Sequence, residues 1–188
     1  MTRRSILAAV LLFPPLSVPG SADDPEPAPS IAEADVKPPR AVPGGEEMGG
    51  LHEAGPILLA GQPRREDLER LARDGVSVVI NLRTPREMAS LPFDEPETLK
   101  TLGVDYVHIP IGPGAFAPRP EAVEQLHEAL RSHQGKALIH CGSAFRATQL
   151  WAAHLVKNRG VSRSQADAFT KSVTGAPAMV EQYLGPLP

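Results

Sequence analysis

Lys136-Ala137-Leu138-Ile139-His140-Cys141-Gly142-Ser143-Ala144-Phe145-Arg146 is the stretch on which the reading of this chain turns. Its first five residues form a short hydrophobic run, as expected of a buried strand. Its end flows into Arg146 to Lys157, where Leu150, Trp151, His154 and Leu155 recur at helical spacing. Between the two lie a thiol and a loop of small residues. Cys141 is the only cysteine in 188 residues. Backbone N–H groups at the start of a helix can hold both a thiolate and a bound oxyanion, and Gly142 allows the close approach that a side chain would block. A free thiol has a pKa of about 8.5, so such a setting matters for reactivity near neutral pH. Arg146 offers a planar fork of donors suited to two oxygens of a phosphate or sulfate. Taken alone, Cys141 reads equally as a small buried hydrophobe; its pairing with Arg146 across the loop is what points to chemistry.

Working outward, strands and helices alternate. Ile57 to Ala60, Val76 to Leu82 and Val104 to Ile111 read as further strands. Arg64 to Asp74, Thr84 to Met88, Glu95 to Leu102, Pro120 to Ser132 and Ser162 to Ser172 read as helices, the second of them starting on a threonine cap. This order predicts an α/β three-layer sandwich around a mainly parallel sheet of four to five strands. In such sheets ligands gather at the carboxyl ends of strands, where Cys141 stands.

Three segments are expected. Residues 1–22 resemble an export signal, with Arg3 and Arg4 ahead of a short apolar run and small residues at Gly20-Ser21-Ala22. The run is too short to span a bilayer, and the adjacent arginines also fit a twin-arginine route. The expected location is therefore periplasmic or secreted, with no stable membrane insertion. Residues 23–50, rich in proline and with a net charge of minus five, read as a disordered spacer. Residues 51–188 form the folding domain; fifteen acidic and fifteen basic residues balance there, so no basic field favours nucleic acid. One cysteine excludes an internal disulfide.

Ala60-Gly61-Gln62-Pro63, Val79-Ile80-Asn81-Leu82-Arg83-Thr84-Pro85-Arg86-Glu87, Tyr106-Val107-His108-Ile109-Pro110 and His140-Cys141 through Arg146 with Leu150-Trp151-Ala152 occur in an order that resembles the cysteine-dependent phosphatases of the dual-specificity class. The resemblance is narrower to the bacterial branch of beta-lactamase-hydrolase-like, or fused-phosphatase-like, domains. It implies the phosphatase fold, Cys141 as nucleophile, Arg146 as phosphate clamp, Gly142, Ser143, Ala144 and Phe145 as the phosphate-binding loop, and hydrolysis of phosphomonoesters with no metal or cofactor. Ser143 or Thr148 would offer a hydroxyl to the sulfur.

The chain departs from the wider class in three ways. Four residues, not five, separate Cys141 from Arg146, a spacing shared with the bacterial branch and with rhodanese sulfurtransferases. Ala144 stands where the short loop usually has glycine. The loop after the third predicted strand, Gly112 to Pro118, lacks the family's acidic proton donor; Asp94, Glu95 and Glu121 are the nearest acids and read as helix-terminal charges. Two alternatives thus accompany phosphate hydrolysis: sulfur transfer through a Cys141 persulfide, and phosphate binding without turnover. Arg83 could line the pocket but reads first as a structural partner of Glu87.

Overall fold

A computed structural model describes residues 28–186, so the predicted export signal lies outside the described residues. Six strands form one sheet: β1 (Arg40–Ala41), β2 (Leu51–Ala54), β3 (Ile57–Ala60), β4 (Val76–Asn81), β5 (Asp105–His108) and β6 (Lys136–His140), in the order β1-β2-β3-β6-β4-β5. The four strands β3, β6, β4 and β5 are parallel and match the predicted set, while β1 and β2 add an antiparallel extension. Gly135 has a positive φ of 84° where the chain turns into β6, and an added Cβ would press on the Gly75 carbonyl.

The central strands are buried because both faces are covered. Ile57, Leu59, Val78, Ile80, Ala137 and Ile139 face α4 (Pro120–Arg131) and α5 (Phe145–Asn158), backed by α6 (Arg163–Thr174) and α7 (Val180–Leu184). Leu58, Ala60, Val76, Val79 and Leu138 face α1 (Arg65–Arg73) and α3 (Glu95–Leu102). Each large side chain removed from water on these two faces contributes roughly 1.5–3 kcal/mol. Trp151 and Phe169 stack at 6.1 Å and tie α5 to α6, as the helical spacing suggested.

The expected disordered spacer is corrected over residues 28–50. Ile31 and Ala32 are buried in the α4/α5 face, and Met48 is buried beneath β2 and β3. Ile31 N–H donates to the His133 carbonyl (2.8 Å), Gln134 to the Ala28 carbonyl (2.7 Å), and Arg159 to the carbonyls of Ala32 and Ala34. Three apolar anchors and external donors for its backbone are enough to dock this proline-rich stretch, although its composition gives it no core of its own.

Candidate active site

Strand β6 ends at His140, and Cys141 follows with no exposed surface. Its backbone N–H donates to Ala60, and Leu82 N–H donates to the His140 carbonyl (2.9 Å), so the strands on either side hold the thiol in register. The loop proper is Gly142, Ser143 and Ala144; Phe145, expected in it, is the first residue of α5. Ser143 bridges Gly61. The first bond of α5 runs from Thr148 N–H to the Ala144 carbonyl (3.0 Å), which leaves the earlier amide groups of that helix for a ligand.

Ala144 is the only non-glycine residue with a positive φ among the described residues, at φ 64° and ψ −16°. The position therefore makes the demand that glycine meets freely, and alanine adopts it at a cost of roughly 1–2 kcal/mol. Thr148 does not serve the sulfur: its hydroxyl donates to the Ala144 carbonyl (2.9 Å) and steadies the same strained turn.

Arg146 folds back across this loop. A Cβ added to Gly142 would lie 3.7 Å from its Nη2. Glu87 grips the guanidinium with two parallel bonds, Nη1 to Oε2 (2.9 Å) and Nη2 to Oε1 (2.6 Å), and Nη1 also donates to the Ile111 carbonyl (2.6 Å). Such forked pairs fix orientation as well as charge. The Arg146 bonds hold the Glu87 carboxyl down at about 2, outweighing its partial burial, with Thr84 assisting. Glu87 in turn keeps Arg146 charged more firmly than usual. This carboxylate is placed by α2 (Pro85–Met88), whose Thr84 cap exchanges bonds with it: Thr84 N–H and Oγ1 both donate to Oε2, at 2.8 and 2.9 Å.

Glu95 corrects the reading of a helix-terminal surface charge. It is the first residue of α3, next to the capping Asp94, yet it has no exposed surface. Its Oε1 accepts from Asn81 Nδ2 and His140 Nε2, both at 2.9 Å, and its Oε2 from Gln62 Nε2 at 2.8 Å. Burial alone would raise its pKa, but the bonds from His140, Gln62 and Asn81 hold it below the ordinary carboxylate value. Asp94 caps α3 and Glu121 lies exposed in the first turn of α4, as expected of helix-end acids. Arg83 lies 3.7 Å from Glu87 and donates a 2.7 Å bond to Gln62, so its firmer partner is an amide. His108 is an exposed edge residue joined to the Arg83 carbonyl. After Ile111, whose carbonyl holds Arg146, Gly112 to Pro118 forms a short turn around Gly114–Phe116 and carries no acid.

No group of three or more metal-ligating side chains converges among the described residues, and none of their helices is long and apolar enough to cross a membrane.

A parallel sheet with a thiol at one strand's carboxyl end, a glycine-led loop and an arginine at the head of the next helix defines the cysteine-based phosphatase fold. The chain belongs to the family of the beta-lactamase hydrolase-like protein, phosphatase-like domain, which it matches over residues 55–157. It is 25% identical over 115 residues to a beta-lactamase hydrolase-like protein of Xylella fastidiosa (strain Temecula1 / ATCC 700964), covering 60% of this chain and 26% of that protein. The chain thus spans about a quarter of that relative's length. Among solved structures, Tk-PTP in its active form aligns with a TM-score of 0.55 and 24% identity over 68% of this chain and 86% of that one. P. aeruginosa TpbA in complex with pTyr aligns with a TM-score of 0.55 and 18% identity, over 71% and 77%. These two likenesses concern the fold.

Proposed function

We propose that this domain hydrolyses phosphomonoesters through a phosphocysteine intermediate. The observation that carries the reading is the forked Glu87–Arg146 pair laid across the loop that begins at Cys141. The Cys141 thiolate attacks phosphorus, the ester P–O bond breaks, and the alcohol or phenol leaves. Water then attacks the phosphorus, the S–P bond breaks, and inorganic phosphate departs with the thiolate restored. Arg146 and the amide groups at the head of α5 would take the phosphoryl oxygens, strengthening as charge develops on them. Since Gly112 to Pro118 has no acid, the leaving group departs with little protonation, which favours aryl over alkyl esters. The complex of TpbA with pTyr supports an aryl phosphate as the first substrate to test. Action outside the cytoplasm, in the periplasm or as a secreted protein, rests on the sequence of residues 1–22.

Sulfur transfer is the second reading, favoured by the acid-free loop, because a persulfide carrier needs no proton donor there. The test is p-nitrophenyl phosphate in one arm and thiosulfate with cyanide in the other, on wild type and Cys141→Ser. Phosphate release that falls at least about 10³-fold in the variant is expected. Thiocyanate formation without phosphate release would select sulfur transfer, and activity indifferent to Cys141→Ser would remove the thiol from the chemistry.

A further inference from the structure

Beneath the thiol loop runs a chain of buried polar groups with a fixed direction. All three groups that meet the Glu95 carboxylate donate to it: Asn81 Nδ2, His140 Nε2 and Gln62 Nε2. A primary amide has one donating end and one accepting end. With its nitrogen donating to Glu95 and to the Pro63 carbonyl (3.0 Å), Gln62 turns its oxygen away, and that oxygen accepts from Arg83 Nη1 at 2.7 Å. The backbone of Arg83 is pinned as well. Its N–H donates to Asn81 Oδ1 (2.7 Å) and its carbonyl accepts from His108 Nε2 (2.7 Å). The side chain is 14% exposed, and its Nε is buried without a hydrogen bond, 3.7 Å from Glu87 Oε1.

Glu87 is therefore shared by two guanidiniums. It grips Arg146 in two bonds, which orients the clamp but also cancels the charge that a dianionic ligand would need. A second cation beside the same carboxylate returns one positive charge to the group. Lysine would supply the charge at this place but not the fixed fork. Holding a largely buried arginine there takes an acceptor, and Gln62 is that acceptor while Glu95 and the Pro63 carbonyl receive its other end.

We propose that Arg83 is a positioning and charge-restoring residue of the anion site, sharing Glu87 with Arg146 and held in place by Glu95 through Gln62. This deepens the phosphatase reading and rests on it for the identity of the anion.

The test is inorganic phosphate binding by calorimetry, with kcat, KM and melting temperature measured alongside. Arg83→Met is expected to weaken phosphate binding about tenfold and to raise KM similarly, with kcat changed less than about threefold. Arg83→Lys should recover part of the loss. Glu95→Gln places an amide nitrogen against that of Gln62, forces Gln62 to turn over, and so presents nitrogen to Arg83; phosphate binding should weaken about as far. Adding Gln62→Glu to Glu95→Gln reverses the polarity of the contact. The new amide at position 95 donates to the new carboxylate at position 62, whose other oxygen accepts from Arg83; affinity should return in part, because that carboxylate no longer donates to the Pro63 carbonyl. Unchanged phosphate binding in a folded Arg83→Met protein overturns the proposal. So does a folded double variant that binds as weakly as Glu95→Gln. Should the double variant not fold, the Arg83→Met and Arg83→Lys pair decides. A wild type that binds phosphate but releases none from an aryl ester removes the hydrolase reading and leaves the charge-sharing inference standing; one that hydrolyses and is indifferent to Arg83→Met removes the inference alone.

Discussion

Two segments that meet beside Arg146 are built unequally. On one, Arg146 is fixed by two bonds to Glu87 and a third to Ile111, Glu87 is fixed by Thr84, and Arg83 is fixed by Gln62 and Glu95. On the other, the turn from Gly112 to Pro118, which starts against Thr84, offers no carboxylate, and its own closing contact is the Gly112 N–H bond to the Phe116 carbonyl (2.7 Å). The contrast teaches that holding an anion and protonating a leaving group are separable tasks. On the proposed function, this chain devotes many buried polar groups to the first and none of that loop's side chains to the second.

The acid-free turn carries the greatest consequence for turnover. Turnover of aryl phosphates should exceed that of alkyl phosphates by about 10² to 10⁴, the worth of a missing proton donor, measured as kcat/KM over a series of leaving-group pKa values. Equal rates would mean that an acid reaches the site from elsewhere.

The anion-holding segment is sharpened by Glu87→Gln, which keeps the shape but leaves Arg146 one charge short of a partner. A loss of about 10- to 100-fold in kcat/KM is expected, the lost orientation of the Arg146 fork outweighing the positive charge set free. Its stability effect carries a pH signature. The folded Glu87 carboxyl sits at about 2, below its ordinary value of 4.5, so its contribution is present above about pH 4.5 and is lost as pH falls through 2. The difference in melting temperature between wild type and Glu87→Gln should therefore shrink between pH 5 and pH 2. A constant difference would assign Glu87 a packing role only.

The smallest effect lies in the loop itself. Ala144→Gly relieves the left-handed strain at φ 64° and adds chain entropy to the unfolded state. The net gain should be up to about 1 kcal/mol, read by urea denaturation. A destabilised variant would show that the Ala144 methyl, itself buried, contributes more through packing than it costs in strain.

Where the signal was local, the sequence was readable. The apolar runs of β3, β4 and β6, the caps Thr84 and Asp94, and the helical stripes of α4 and α5 each lie within one segment, and all stand close to where pattern placed them. Cys141 and Arg146 were legible because one short loop joins them, while the positive φ at Ala144 was signalled only by the glycine usual there in the family the chain resembles. The rest depended on distant partners. Glu95 lies between a cap residue and Pro96, so local chemistry reads it as a helix-end charge; its burial is decided by His140, 45 positions on. Glu87 and Arg146 are 59 positions apart. Gln62 appeared only as part of a motif, since an amide that relays between a carboxylate and an arginine has no one-dimensional signature. The strand β1 is two residues long, and β2 carries His52 and Glu53 at its centre, too short and too polar for periodicity to reveal.

Cys141 is buried and has no second cysteine in the chain. In phosphatase-type sites with a neighbouring thiol, oxidation to a sulfenic acid can be trapped as an internal disulfide and later reversed. No such partner exists in these 188 residues, so an oxidised Cys141 is restored only by a thiol brought from outside. Repair of this buried sulfur therefore belongs to whatever reductant the surroundings supply.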